Sequence, residues 1–184
     1  MPRLQRTEAL FVIIDVQEKL LPLIDGGEAV VRNLDRLVRG FHVLDIPIIV
    51  TEQYTKGLGT TVSALRTILN ETVGYSPIEK STFSAYGCGE FQAALRLARR
   101  KQIIVAGIET HVCVYQTAKD LIEADYQVTI IADAISSRTA ENRDIALRRM
   151  TVDGAKLSST EMALFELLVN SGTDEFRAIS ALVK

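Results

Sequence analysis

Three residues have the types and placement that covalent chemistry needs: Cys113, Asp15 and Lys80. Cys113 closes the run Val105-Ala106-Gly107-Ile108-Glu109-Thr110-His111-Val112-Cys113. Its β-branched residues ending at a glycine read as a buried strand, and Thr110 stands where it can cap a following helix. The thiol then falls in the first helical turn, where unpaired backbone N–H groups and the positive end of the helix dipole favour a thiolate. Packing is the competing reading, since free cysteines are among the most buried residue types. Asp15 ends the first apolar run, and Lys80 follows the segment from Tyr75 to Glu79. Alone, Asp15 can cap a turn and Lys80 can be a solvated surface residue. Together with Cys113 they supply a nucleophile, a carboxylate to take and return its proton, and a cation to hold the thiolate and orient the acid.

Such residues meet only if the elements carrying them converge. Residues 9–14, 46–51, 103–106 and 128–132 are short runs rich in Val and Ile, suited to strands buried on both faces of a parallel sheet. Weaker strand signals lie at 75–79 and 155–157. Between them, amphipathic patterns over 28–45, 90–100, 110–124, 140–153 and 160–171, with a shorter one near the C-terminus, predict covering helices. Ser158 with Glu161 has capping-box spacing and marks one helix start. Alternating strand and helix predict an α/β doubly wound fold with ligands beyond the carboxyl ends of the strands. The loops meeting there bring Gln17, Gln53, Tyr54, Phe83, Glu109 and Thr110 as candidate substrate contacts. Asp133 and Ser136-Ser137, at the end of the next strand, read as turn or cap residues that support the site.

At 184 residues, 47% of them hydrophobic, the chain suits one compact domain over 1–184. With 21 basic and 23 acidic residues the net charge is −2, and no basic block or basic-aromatic stripe offers a nucleic-acid footprint. Arg99-Arg100-Lys101 reads as cations complementing a helix end. The apolar run near the N-terminus stops at Asp15, too short for a membrane span or signal segment, so a cytoplasmic location is expected. Cys88 and Cys113 make no disulfide framework, and neither His42 nor His111 has a partner at metal-ligand spacing, so no metal is predicted. A dinucleotide fingerprint is absent, because Asp15-Val16-Gln17-Glu18-Lys19 stands where the glycines belong. Gly57-Leu58-Gly59 has no third glycine and reads as a flexible loop. No cofactor is expected.

Three stretches together resemble the isochorismatase-like cysteine hydrolase family over nearly the whole chain. They are Phe11-Val12-Ile13-Ile14-Asp15-Val16-Gln17, Glu79-Lys80-Ser81-Thr82-Phe83-Ser84-Ala85, and Gly107-Ile108-Glu109-Thr110-His111-Val112-Cys113-Val114 with Gln116-Thr117. Thr51-Glu52-Gln53-Tyr54-Thr55-Lys56-Gly57-Leu58-Gly59 further resembles the branch of isochorismatase domain-containing proteins. The resemblance implies a three-layer fold around a six-stranded, mainly parallel sheet and an Asp-Lys-Cys triad at Asp15, Lys80 and Cys113. It also implies a cis peptide between Ile108 and Glu109, with the backbone N–H groups of Glu109 and Cys113 forming an oxyanion hole. Nicotinamidases of the family place an Asp-x-His metal site after the second strand, where this chain has Thr51-Glu52-Gln53-Tyr54. Nicotinamide is therefore disfavoured. The retained cysteine leans toward a C–N bond, in a small amide or imide cleaved without metal through a thioester. The alternative is a catalytically silent binding or assembly module on the same fold. A homo-oligomer is expected in either case.

Overall fold

A computed structural model describes residues 3–184 of the chain. In chain order the elements are β1 (Ala9–Ile14), α1 (Gly27–Val43), β2 (Ile48–Gln53), the single turn α2 (Thr55–Leu58), α3 (Ser63–Thr72) and β3 (Ile78–Lys80). They continue with α4 (Gly89–Ala98), β4 (Gln102–Ile108), α5 (Tyr115–Glu123), β5 (Gln127–Ser136), α6 (Ala140–Val152), β6 (Lys156–Ser158), α7 (Thr160–Leu168) and α8 (Asp174–Val183). The six strands form one parallel sheet in the order β3-β2-β1-β4-β5-β6. Every residue of the central strands β1 and β4 is buried, which is why both read as unbroken apolar runs.

The helices cover both faces. α1 packs against α3, α7 and α8, while α5 packs against α6 on the opposite side. Right-handed crossovers explain the division. From β1 the chain winds outward through β2 to β3, then returns past β1 to wind the other way through β4, β5 and β6. The reversal falls between β1 and β4, and a crevice opens beyond their carboxyl ends.

Three sequence expectations shift. The stretch around Gly57-Leu58-Gly59 is structured: α2 and α3 follow β2, and α3 buries only Leu65, Ile68 and Leu69, a stripe too short to stand out by periodicity. β5 runs on to Ser136 because a register shift opposite Val105 to Gly107 lets Ala134 and Ile135 re-enter the core beyond the polar Asp133. Ser158 belongs to β6, and the cap of α7 is Ser159, whose hydroxyl accepts from the Met162 N–H. Asp133 adds to that helix start by accepting from the Thr160 N–H at 2.8 Å and its hydroxyl at 3.0 Å.

Gly107 sets how closely the two central strands approach. Its φ is +118°, and a Cβ there would stand 2.2 Å from the Ile14 carbonyl oxygen and 2.6 Å from the Ile14 nitrogen. Backbone cannot yield as a flexible side chain can. Gly107→Ala is expected to destabilise the protein by about 3 kcal/mol or more, at the far end of single-substitution effects. Denaturant unfolding of the purified variant would measure it, and a loss under about 1 kcal/mol would contradict the backbone clash.

Candidate active site

The first residue beyond β1 is Asp15, held at φ 50° in the left-handed region that few non-glycine residues occupy. Its amide donates to the Thr51 carbonyl at 3.2 Å, and its own carbonyl accepts from the Gln17 N–H at 2.8 Å. The turn aims the carboxylate back over the sheet edge. There Oδ1 accepts from the Thr51 hydroxyl and Oδ2 from Lys80 Nζ, each at 2.7 Å. Both side chains of this ion pair are fully buried.

Lys80 is the last residue of β3, two strands away, and its ammonium is ringed by acceptors. Besides Asp15 it donates to Gln53 Oε1 at 2.7 Å and to the carbonyls of Thr82 and Phe83 at 3.1 and 3.0 Å. Four acceptors share three protons, so the charge is fully solvated by protein. Gln53 in turn donates from Nε2 to the Ser81 carbonyl at 2.8 Å. Gln17 is wholly enclosed and spends its amide on backbone: Nε2 donates to the carbonyls of Gln53 and Gly59 at 3.0 and 2.6 Å, and Oε1 accepts from the Gln53 N–H at 2.7 Å. It has no surface to offer a ligand. Tyr54 and Phe83, by contrast, are more than half exposed at the ends of β2 and β3.

The chain leaves β4 through a cis peptide between Ile108 and Glu109, as the family resemblance implies. It then winds a π-helical turn over Thr110–Val114 before α5. This corrects the expected cap. The residue preceding the turn is Glu109, no side chain caps it, and the Thr110 hydroxyl is buried with no hydrogen-bond partner among the described residues; Ser84 Oγ is in the same position. The Glu109 carbonyl accepts from the N–H groups of Val112 and Val114, at 3.1 and 3.2 Å, on either side of Cys113. Cys113 itself, within that turn beyond β4, is buried.

The second correction concerns that thiol. Burial, followed by the negative charge of Asp15, pushes its pKa up from 9.0 to about 12, and the opposing charge of Lys80 does not offset them. A side-chain hydrogen bond with Asp15 and the charge of Glu109 push the same way. The resting group is a neutral thiol against a carboxylate, in place of the thiolate held by lysine that the sequence predicts.

Two clusters carry no sequence expectation. The Glu52 carboxylate, buried at the end of β2, accepts from the Thr61 N–H at 2.5 Å, the Thr61 hydroxyl at 2.8 Å and the Tyr75 hydroxyl. Burial and the Glu52 hydrogen bond push the Tyr75 phenol up, keeping it a donor. The second is Arg138, just past β5, which donates from Nε to Glu109 Oε1 at 2.8 Å and from Nη2 to Oε2 at 3.3 Å. Strand-end logic applied to the full length of β5 finds it, since Ser136-Ser137 lead directly into it. Among the described residues no cluster of three or more His, Cys, Asp or Glu could hold a metal ion.

Asp15, Lys80 and Cys113 thus converge across the switch point on one buried site. The family model for the isochorismatase domain matches residues 9–162, a span that contains all of them. The chain belongs to the isochorismatase family. A secreted isochorismatase effector, Isc1, of Phytophthora sojae is 36% identical over 183 residues, covering 99% of this chain and 87% of that protein. The MAR1 ribonuclease of Caenorhabditis elegans superposes with a TM-score of 0.91 at 33% identity, covering 99% of this chain and 92% of that one. YcaC from Pseudomonas aeruginosa, solved with hexane-2,5-diol and covalent acrylamide, does so with a TM-score of 0.89 at 26% identity, covering 98% and 91%. The isochorismatase fold is therefore shared along essentially the entire chain.

Breaking the central pair leaves a buried charge unmatched. Lys80→Met is expected to cost about 3–5 kcal/mol because it strands the Asp15 carboxylate. The double variant Asp15→Asn/Lys80→Met, with no charge to strand, should recover a large part of that loss. Equal stabilities for the single and double variants in denaturant unfolding would show that a stranded Asp15 charge is not what the single variant loses.

Proposed function

We propose that this isochorismatase-family protein is a metal-independent cysteine hydrolase of a small amide- or imide-like molecule. The observation that carries the reading is the buried thiol of Cys113 beside the Asp15 carboxylate, which Lys80 holds in a fully buried ion pair. With a pKa of about 12, only about one thiol in ten thousand would ionise unaided at pH 8. A base in contact has to take the proton as the bond forms, and Asp15 is that base.

The steps then balance. Sγ attacks the carbonyl carbon while the Asp15 carboxylate takes the thiol proton. The oxyanion that develops is met by the backbone N–H groups of Glu109 and Cys113. Asp15 returns its proton to the leaving nitrogen, the C–N bond breaks, and a thioester remains on Cys113. Water attacks that thioester with Asp15 again as base, releasing the carboxylic acid and restoring the thiol. Lys80 pairs with Asp15 and holds its orientation between steps. Gln17 and Gln53 act as braces behind the pair, and Tyr54 and Phe83 stand at the mouth of the site. Thr110, enclosed beside the nucleophile, reaches a ligand only through its unpartnered hydroxyl.

The covalent acrylamide in the YcaC structure fits a nucleophile in this fold. A ribonuclease activity, which the name of the Caenorhabditis elegans MAR1 protein carries, would call for cations to track a phosphate backbone. Of the cations at this site, Lys80 is fully buried and Arg138 is paired with Glu109, which supports a small amide over a polynucleotide. The exposed Ile145 and Val152 of α6 and Leu157 of β6 suit self-association into a homo-oligomer. No helix among the described residues is long and apolar enough to cross a membrane. We place the protein in the cytoplasm because its two free cysteines suit a reducing compartment.

Turnover on a panel of small amides and imides tests the reading. Cys113→Ala should abolish it without lowering the melting temperature. The wild-type rate should stay flat between pH 6 and 9, because proton removal runs through Asp15. A climb of tenfold per pH unit in that window would mean that free thiolate is the nucleophile and that Asp15 is not the base.

A further inference from the structure

Among the described residues, the buried side-chain polar atoms without a hydrogen-bond partner are Ser84 Oγ and Thr110 Oγ1, and both stand on segments that border the Cys113 thiol. Thr110 is fully buried and belongs to the same π-helical turn as Cys113. Ser84, only 7% exposed, lies on the connection from β3 to β4. Because β3 is the sheet edge and β4 lies beyond β2 and β1, that connection has to pass β1, whose end carries Asp15. It is tied on both sides of the serine: the Phe83 carbonyl accepts from Lys80 Nζ at 3.0 Å, and the Ala85 N–H donates to the Thr117 hydroxyl of α5 at 2.9 Å. The Ser84 carbonyl accepts from the Thr82 hydroxyl at 2.8 Å and from the Gly87 N–H at 3.2 Å. Ser84 is thus fixed through its backbone while its hydroxyl is left over.

An unpaired buried hydroxyl is costly, and folded chains rarely keep one without a use. Other hydroxyls around the site are met: Thr51 donates to Asp15, Ser136 donates to the Asp25 carbonyl, and Ser137 pairs with His111 Nδ1. Lys80 has no proton to spare for either Ser84 or Thr110. The two hydroxyls therefore await a group that arrives during the reaction. A hydroxyl both donates and accepts and carries no charge, which suits a water molecule. Resting on the hydrolase reading above, we propose that Ser84 and Thr110 hold the water that cleaves the thioester and present it to the Asp15 carboxylate from the side on which the amine departs. The water oxygen bonds to the thioester carbonyl carbon as Asp15 takes one of its protons. The C–S bond then breaks, sulfur takes that proton, and the carboxylic acid leaves. Formation of the thioester needs no such water, so the two hydroxyls serve the second half of the reaction alone.

The two halves separate with p-nitrophenyl acetate as the probe on the whole protein. Sγ takes the acetyl group while Asp15 takes the thiol proton, nitrophenolate departs in a burst, and hydrolysis of the thioester sets the steady rate that follows. Peptide mass spectrometry after acid quenching reads the acetyl group on Cys113. Ser84→Ala should leave the burst rate within about twofold of wild type and slow the steady rate by about tenfold, the scale of one hydrogen bond, so that acetylated Cys113 accumulates. Thr110→Val should do the same, and Ser84→Thr, which keeps the hydroxyl, should restore most of the steady rate. Because the hydroxyl removed is unpaired in the fold, Ser84→Ala should unfold at the wild-type denaturant midpoint. A burst and a steady rate that fall together, or a steady rate that either Ser84→Ala or Thr110→Val leaves unchanged, would overturn the water site and keep the cysteine mechanism. A lowered midpoint for Ser84→Ala would show that the fold itself uses the hydroxyl, which also overturns the water site. No acetyl group on Cys113 in the wild type or the variants would sink the cysteine mechanism, and the water site with it.

Discussion

The fully buried ion pair between Asp15 and Lys80 is the constraint on which the site depends. Taking two charges out of water is expensive, and their mutual attraction repays the cost only where the remaining donors and acceptors are also met. The chain meets them with Thr51 and Gln53 at the end of β2 and the carbonyls of Thr82 and Phe83 just past β3. Gln17, beyond β1, locks Gln53 in turn. Half of the sheet's carboxyl edge is therefore organised around one ammonium group. The other half begins at Gly107, where the absence of a side chain lets β4 close on β1 and brings Cys113 to the Asp15 carboxylate.

Much of this is legible in the residues, for reasons that also mark where legibility stops. β1 and β4 are buried on both faces, so their composition alone betrays them, and the strand-end rule then picks out Asp15, Lys80 and Cys113. α3 escapes because three apolar residues do not make a visible stripe. The pattern of β5 breaks off before Asp133, whose role in starting α7 depends on a residue far along the chain, and Arg138 is hidden with the rest of that strand's true end. The Thr110 cap fails for a local reason: a π-helical turn places its hydroxyl inside, away from the amides that a cap would bind. Gln17 and Gln53 read as substrate contacts because polarity at a strand end looks the same whether it faces a ligand or holds up a lysine. Glu52 leaves no pattern in the sequence, since it gains meaning only from Thr61 and Tyr75 after the chain has folded back on β2.

The protonation state of Cys113 is where a sequence argument points the wrong way and the structure makes better chemical sense. Position at a helix start and a nearby lysine both favour a thiolate, but Lys80 is already claimed by Asp15, so the thiol faces a charge pair rather than a free cation. Burial next to a carboxylate then keeps the proton on sulfur. A redox sensor needs the opposite: thiolate character, access, and a resolving cysteine within reach. Cys113 is buried, and Cys88, the other cysteine, lies near the Glu79 carbonyl of β3, two strands from β1. A neutral thiol resists adventitious oxidation and alkylation, yet it is one proton transfer from reactivity when an electrophile arrives beside Asp15. The same carboxylate that suppresses the thiolate at rest is the group that generates it during attack, so protection and activation come from one residue.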